Sequence, residues 1–504
     1  MYQFGICNNF IKFDSLYSLN VSIFKHMEIS EKVYRNTVLS EAPAFDGLIF
    51  IGVKTTGIFC RPVCPAKTPK FSNVEFYKSA GAAIDAGFRP CLRCRPECTP
   101  GTAAWMGTST VILRALKLIN QNIEGNIDLE ILGNKLGIPG RHLRRLFKKH
   151  LGTTPSSVIN TIKLLFAKKL ITETGLSMAD IAFASGYKSI RNFNYQLKKV
   201  YNKPPSALRK GKISTSKPNI LHLSFHPPLN FRQITGFLKI RAIPGVEFAS
   251  NDIYSRSIEI DNMTGFITVS CKNKENTVNL EVEFPDIKKL FYITETVKSL
   301  FDLNAPVKNI DDRLKKDKFL GNLVKQNPGI RVPGSFNSFE LCIRAIVGQQ
   351  VSVKGATTII GRIASKYGKK LNIPNNFGLK NVFPGPEILA ISDFEGIGLT
   401  KTRISTIKLL SKAVLEDRII FNPFSDPADL KNALLQIKGI GEWTARYIIM
   451  RTVKSPDAFP YSDLGLLKAV SSDGTPVPEK LLKNMAEHWK PWRAYAAMYL
   501  WSNL

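Results

Sequence analysis

The 504-residue sequence predicts a multidomain α+β protein, and three observations predict it. Four of the eight cysteines fall in two short knuckles between Lys54 and Arg95. From Val111 to Arg209 a pattern of two amphipathic helices around a glycine turn occurs twice. After residue 220, alternating runs of strand type precede a third glycine-turned helix pair at 434–452. The expected order is a small cysteine-built domain, an all-α segment, an α/β sheet domain and an all-α domain.

The charge balance says what such a chain meets. Hydrophobic content of 44% is ordinary, but 70 Lys and Arg against 40 Asp and Glu give a net charge of +30. Residues 45–215 alone hold 27 basic and 9 acidic side chains. A basic excess this concentrated points to nucleic acid, with an anionic membrane surface as the weaker alternative. No stretch approaches the roughly 18 apolar residues of a membrane span, and the N-terminus has no charged region leading into an apolar core. Cys7, Cys271 and Cys342 are scattered, as thiols in a reducing compartment are. The expectation is a cytoplasmic protein with no membrane partner. Residues 1–40 carry no motif, and Met27 is a candidate start shortly before the first domain.

The knuckles are Cys60-x3-Cys64 and Cys91-x2-Cys94, with 26 residues between them. Gly57, Pro62, Pro65, Gly87 and Pro90 supply the tight turns that bring two sulfur donors from each knuckle together. This spacing predicts one zinc ion on four thiolates. Lys54, Arg61, Lys67, Lys70, Arg89, Arg93 and Arg95 surround it with positive charge, which favours an anionic partner. Spacing alone fits an inert structural knuckle, the commoner role of such sites.

The run VKTTGIFCRPVCPAK, followed by NVEFY and AAIDAGFRPCLRC, resembles the N-terminal domain of the bacterial Ada methylation-response proteins. The resemblance implies irreversible transfer of a methyl group from a DNA phosphotriester to Cys60, with Cys64, Cys91 and Cys94 as the remaining ligands. Cys98 is a competing ligand that this motif does not use.

In DLEILGNKLGIPGRHLRRLFKKHLG (128–152), Gly137 and Pro139-Gly140 separate two helices. Leu143, Leu146 and Phe147 share one face of the second, leaving Arg141, Arg144, Arg145 and Lys148 for solvent or phosphate. The unit at 177–209 repeats this about Gly186: Ile190, Phe193 and Leu197 are expected to pack, and Ser189, Arg191, Asn192 and Tyr195 to face a groove. The pair, joined by a long helix at 156–174, resembles the AraC-type DNA-binding domain. That resemblance implies recognition helices in successive major grooves of double-stranded promoter DNA. A plain basic helical bundle is the bland alternative.

Ser257–Ile260, Phe266–Cys271 and Thr277–Phe284 alternate as strands of an antiparallel sheet with helices on one side. FNSFELCIRAIVGQQVSVKGATTIIGRIASKYG (336–368) reads as two helices about a loop at Gly348-Gln349-Gln350. In LLQIKGIGEWTARYIIMRT, Gly439 and Gly441 flank Ile440 between two helices. Glycines there let backbone approach phosphate, and the amides opening the second helix are anion donors, a helix-hairpin-helix signature that grips DNA without reading its sequence.

Asp463 stands 22 residues past Gly441, before another helical pattern that it could also cap. Together with IRAIVGQQVSV and HWKPWRAYAAMYLW, these features resemble the helix-hairpin-helix DNA glycosylases of the AlkA type, over 221–501. The resemblance implies base flipping into a pocket and Asp463 as the catalytic carboxylate. It makes Trp443, Tyr447, Trp501 and Phe237 pocket residues, attracting cationic alkylated purines by cation–π contact. Gln350 takes the position that fills the gap left by the flipped base.

The expected domains are an extension at 1–40, an Ada-type zinc domain at 41–99, a double helix-turn-helix at 108–210, an AlkA-like α/β domain at 220–325 and a helix-hairpin-helix glycosylase domain at 326–504. Combined, the resemblances imply methyl-triggered transcriptional activation, with RNA polymerase as a partner, joined to excision of bases such as 3-methyladenine from alkylated duplex. Methylation would remove one negative charge from the thiolate cluster and so strengthen binding beside phosphates. No PCHR-type cysteine motif occurs, so repair at guanine O6 is not expected. The alternative is an alkylbase glycosylase whose front half is a non-regulatory DNA tether.

Overall fold

The computed structural model describes residues 49–94, 96, 110–125, 127–209, 220–271, 276–421, 427–471 and 473–503. The expected N-terminal extension, Met27, Arg95 and Cys98 lie outside the described residues. These gather into two compact bodies. One takes in the described residues up to Leu116 with Asp128–Leu165 and Gln196–Lys203; the other holds Lys117–Ile127, Phe166–Tyr195 and the chain from Pro204 onward.

In the first body, β1 (Phe50–Val53) pairs antiparallel with both β2 (Ile58–Cys60) and β3 (Val74–Tyr77), and the short β4 (Arg89–Pro90) runs parallel to β2. Gly57, at φ 62°, turns β1 into β2 in the left-handed region that favours glycine. Helix α1 (Ala80–Asp85) begins at Ser79, whose Oγ accepts from the Ala82 amide at 3.1 Å. Among the described residues, Phe50, Phe59, Ala80 and Ala83 form one small cluster and Ile51 and Val74 a second. A domain this size buries too little apolar surface to be secure alone, which is where a structural metal contributes most.

The same body holds helices α2 (Leu129–Lys135) and α3 (Gly140–Leu151). Asp128 caps α2 by accepting from Glu130 N (2.7 Å), and Glu130 in turn accepts from Gly140 N (3.2 Å) at the start of α3. Gly137 turns between them at φ 70°. Leu143 and Phe147 are fully buried, Leu146 is half-buried, and Arg141, Arg144, Arg145 and Lys148 are exposed as the periodicity predicts. Ser79 also donates to the Leu151 carbonyl (3.0 Å), and Asp85 accepts from Thr153 and from Ser157 (2.6 Å). Leu165 packs on the Phe50–Phe59 core.

Helix α4 (Pro155–Glu173) leads to α5 (Met178–Ala184) and α6 (Ile190–Tyr201), with Gly186 at φ 77° between the last two. Phe193 and Leu197 are fully buried, whereas Ile190 is 41% exposed, contrary to the packing expected of it. Ile190 is the first residue of α6, one turn ahead of Phe193. Arg191, Asn192 and Tyr195 are exposed on the same helix.

The second body contains an antiparallel sheet of order β5-β9-β8-β7-β6, formed by Ile220–Ser224, Thr277–Glu283, Met263–Ser270, Ile253–Ile260 and Glu247–Ala249. Three of these strands are the alternating runs of the sequence. β5 and β6 are added ones; β5 alternates in burial and β6 has only three residues. Helix α7 (Phe231–Lys239) lies between β5 and β6 in sequence. Beyond the sheet, α8 (Ser338–Val347), α9 (Val353–Tyr367), α10 (Lys401–Leu415), α11 (Pro427–Leu435) and α12 (Glu442–Thr452) bury one apolar cluster. A second cluster is built from 305–332 and 450–500, including α13 (Leu464–Ala469) and α14 (Arg493–Trp501). Among the described residues no helix is long and apolar enough to cross a membrane.

Candidate functional sites

The four sulfurs of Cys60, Cys64, Cys91 and Cys94 lie within 4.8 Å of one another. Backbone bonds set this up. The Cys64 amide donates to the Arg61 carbonyl (3.1 Å), closing the first knuckle, and the Cys91 amide donates to the Phe59 carbonyl (3.0 Å), bringing the second beside it. Tetrahedral zinc with about 2.3 Å bonds spaces its sulfurs roughly 3.8 Å apart. The donor set fits zinc: four soft sulfurs converge, and no oxygen or imidazole ligand joins them among the described residues. Hydrogen bonds with Cys64 and Cys91 push Cys60 up and those with Cys60, Cys64 and Cys91 push Cys94 up, while the Cys60 contact pulls Cys64 down to about 7 and Cys91 lower still.

The sulfurs are not equivalent. Cys91 and Cys94 are buried, whereas Cys60 and Cys64 are half-exposed. Amides of Arg93 (3.4 Å) and Arg61 (3.3 Å) donate to Cys91 and Cys94, and the Ala66 backbone hydrogen-bonds Cys64. Among the described residues no backbone amide is directed at Cys60. An amide donor draws charge from a thiolate and blunts its nucleophilicity, so Cys60 is the sulfur left both accessible and electron-rich.

In the second body, Phe237, Trp443, Tyr447, Asp463 and Trp501 all line one cavity of about 330 Å³, so sequence positions from α7 to α14 meet in a single place. Tyr447 packs on one apolar cluster, and Phe237 and Trp501 pack on the other. Trp443 and Tyr447 stack at 5.5 Å with planes 7° apart, and Trp501 meets Tyr447 edge-on at 6.3 Å. Both indoles donate to Asp463: Trp443 Nε1 to Oδ2 and Trp501 Nε1 to Oδ1, each at 2.9 Å. Asp463 also caps α13 by accepting from Leu466 N at 3.0 Å. The carboxylate is therefore fixed in direction by three donors from separate elements, and the cap and cavity positions hold together.

Gly439 turns between α11 and α12 at φ 95°, and a Cβ there would stand 2.0 Å from Thr406 Oγ1, which donates to the Lys438 carbonyl. At Gly441, extended and at the N-cap of α12, a Cβ would meet nothing of the chain. Gln350 is exposed at φ 53°. Its neighbour Gln349 donates through Nε2 to the Gly439 carbonyl and to Thr444 Oγ1, both at 2.9 Å, and accepts from Arg403. Gln349 thus ties the Gln350 loop to the hairpin.

Sequence reasoning missed the charges in the cavity wall. Arg241 lies over the Phe237 ring at 3.8 Å, and Arg451 lies 5.1 Å from Phe237 and 5.5 Å from Tyr447. Phe237, expected as a pocket residue, lines the cavity with the Arg241 guanidinium over its ring. Burial would raise the Tyr447 phenol, but Arg451, which donates to it at 2.7 Å, and Arg241 outweigh that and lower it. Deeper, Arg256 (2.6 Å) and Arg344 bind Glu340, and Arg344 and Tyr254 bind Glu247. Phe237/Arg241 and Tyr447/Arg451 are both aromatic–Arg pairs at i, i+4, a spacing visible in the sequence.

Family models match in three places: the metal binding domain of Ada at residues 34–97, a helix-turn-helix domain at 132–211 and the AlkA N-terminal domain at 220–337. A probable bifunctional transcriptional activator/DNA repair enzyme AlkA of Mycobacterium tuberculosis is 33% identical over 94% of this chain and 96% of its own length. DNA-3-methyladenine glycosylase 2 of Escherichia coli is 30% identical over 55% of this chain and 95% of its own. The bifunctional transcriptional activator/DNA repair enzyme Ada of the same organism is 41% identical over 24% of this chain and 33% of its own. With cysteine cluster, helix-turn-helix units and aromatic cavity in one polypeptide, the chain belongs to the family of bifunctional transcriptional activator/DNA repair enzymes AlkA.

Proposed function

We propose that this chain is a DNA alkylation-response protein with two chemistries. Its front half takes a methyl group from a DNA methylphosphotriester onto Cys60 and thereby becomes a transcriptional activator. Its C-terminal half is an N-glycosylase that releases alkylated bases such as 3-methyladenine. What carries the reading is that one chain holds a converging four-sulfur cluster and an aromatic cavity with a triply anchored carboxylate.

Zinc, when bound, supplies the positive charge that keeps all four sulfurs deprotonated. The Cys60 sulfur forms an S–CH₃ bond as the O–CH₃ bond of the triester breaks. The bonding pair stays on the phosphate oxygen, leaving an ordinary phosphodiester. The thioether cannot be reversed by any group nearby, so each molecule reacts once. Cys60 loses its negative charge, which lowers repulsion of phosphates near the basic face of α3, where Arg141, Arg144 and Arg145 would bind backbone. The contacts from Ser79 and Asp85 to 151–157 support a short route between cluster and helix. Arg191 and Asn192 on α6 would contact the same promoter.

In the glycosylase half, Gly439 and Gly441 would grip phosphate, with the open space at Gly441 leaving room for its oxygens. Gln350 would fill the gap left by the flipped base. The base would lie among Trp443, Tyr447 and Trp501, with Asp463 facing the sugar. Breaking the C1′–N bond leaves its electrons on the base and positive charge on the sugar, which the carboxylate stabilises while water adds to C1′. The domain limits 41–99, 108–210, 220–325 and 326–504, a cytoplasmic location and a contact with RNA polymerase belong to the same proposal. Two assays on one preparation test it: methyl uptake mapped to Cys60, and base release from alkylated duplex that Asp463→Asn removes. Salt-dependent DNA affinity unchanged by methylation would instead favour the non-regulatory tether.

A further inference from the structure

The second body contains part of the front half as well as the glycosylase half: Phe166–Tyr195 group with the chain from Pro204 onward. They meet at the outer edge of β5, an end strand of the five-stranded sheet. An open edge presents backbone N–H and C=O groups that must find partners. At His222 both are met by the last turns of α4. Lys169 donates through Nζ to the His222 carbonyl at 2.5 Å, and the His222 amide donates to Glu173 Oε2 at 3.0 Å. Lys169 and Glu173 also pair with each other at 2.7 Å, one helical turn apart, with side chains only 6% and 2% exposed. Beside them Phe166 meets Phe291 edge-on at 4.9 Å and α5 packs on 287–289. Lys289 binds both Glu124 (2.9 Å) and Asp261 (2.8 Å). Two opposite charges buried without the strand's backbone would lose their hydration for little return, so the joint is built around that edge.

We infer that the β5 edge is a permanent seat for the DNA-binding segment Phe166–Tyr195, through which the glycosylase half holds Arg191 and Asn192 of α6 in position on duplex DNA. The edge fits a helix end with a cation at i and a carboxylate at i+4, in that order: position 169 must donate and position 173 must accept. The glycosylase fold is then a structural part of the activator, a role that does not need Asp463. The inference rests on the reading of α6 as a DNA contact, and the experiment keeps the two apart.

The full chain with the pair reversed, Lys169→Glu with Glu173→Lys, keeps an i, i+4 ion pair on α4 but sets an acceptor against the carbonyl and a donor against the amide. Hydrogen exchange at the His222 amide should be at least about tenfold faster than in wild type, the size of one hydrogen bond to a charged group. Affinity for an unmodified mixed-sequence duplex is read by anisotropy in the same proteins. Arg191→Ala should weaken it roughly threefold or more in wild type and have little effect in the reversed background, where α6 is unseated. Base release at saturating enzyme should be unchanged, which reports an intact cavity. If the reversed pair fails to fold, Lys169→Met with Glu173→Gln, a neutral pair of similar size, carries the same comparison with a smaller loss. Equal His222 exchange in wild type and variant, or an Arg191→Ala effect of the same size in both backgrounds, would overturn the inference. No Arg191→Ala effect in wild type would remove the DNA reading of α6 and this inference with it, while leaving the base-release reading in place.

Discussion

The cysteine cluster and the aromatic cavity are both reaction centres, built in opposite ways. The cluster draws its four sulfurs from one short stretch, Cys60 to Cys94, on a sheet with a core of a few residues, and leaves two sulfurs half-exposed. The cavity gathers side chains from Phe237 to Trp501 and fixes its carboxylate with donors from α12, α13 and α14. A group spent once needs access and a high-energy electron pair. A group that acts on every turnover needs its direction fixed, since misplacement recurs each cycle. The same molecule shows how little scaffold the first task takes and how much the second does.

The sharpest way to break this comparison is to disable each centre alone. Cys60→Ser should abolish methyl uptake, read by peptide mass, and leave base release within about twofold of wild type. Asp463→Asn should do the converse, slowing base release by about 10²–10³-fold, the usual loss for a developing charge left without its partner. Chelation should likewise separate them: zinc stripped from the cluster should cost methyl uptake and order in 49–94, with base release retained.

Smaller effects sharpen the picture of the cavity's foundation. Arg344→Met removes a partner from two buried carboxylates, Glu247 and Glu340, and should destabilise the second body by roughly 3–5 kcal/mol in denaturant melts. The same carboxylates set a pH signature. Burial opposes the Glu247 charge, but Arg344 and Arg256 overcome it and hold the carboxyl down at about 2, against 4.5 for an ordinary glutamate. A depressed carboxyl stabilises the fold above its unfolded value, so melting temperature should be level above about pH 5 and fall between 4.5 and 2. In Arg344→Met the Glu247 carboxyl is held down less, so that decline should be shallower and end at a higher pH.

The two hairpin glycines give the smallest contrast. Gly439→Ala meets both a positive φ and Thr406, and should cost about 1–3 kcal/mol of stability. Gly441→Ala meets nothing of the chain and should leave the melt unchanged while weakening binding to duplex DNA.

Much of the fold was legible in the sequence wherever its cause is local. The knuckles, the turns at Gly137 and Gly186, and the strands at 257–283 are all short-range features. Ile190 misled because periodicity assigns a face without saying where along the helix the core ends. The cavity residues were reached by resemblance rather than by pattern, since nothing in residues 237 and 501 announces that they meet. The Arg256–Glu340 and Arg344–Glu247 pairs were invisible for the same reason: such pairing depends on how β6, β7 and α8 come together.

The central claim is that the front half is a self-spending methyl acceptor and not a structural knuckle. The direct measurement is peptide mass mapping of zinc-loaded full-length protein after incubation with duplex DNA carrying methylphosphotriesters. One methyl on Cys60, with none on Cys64, Cys91 or Cys94 and none gained by Cys60→Ser, is the predicted result. An unmodified Cys60 in protein that retains its zinc would contradict it and leave a glycosylase on a DNA tether.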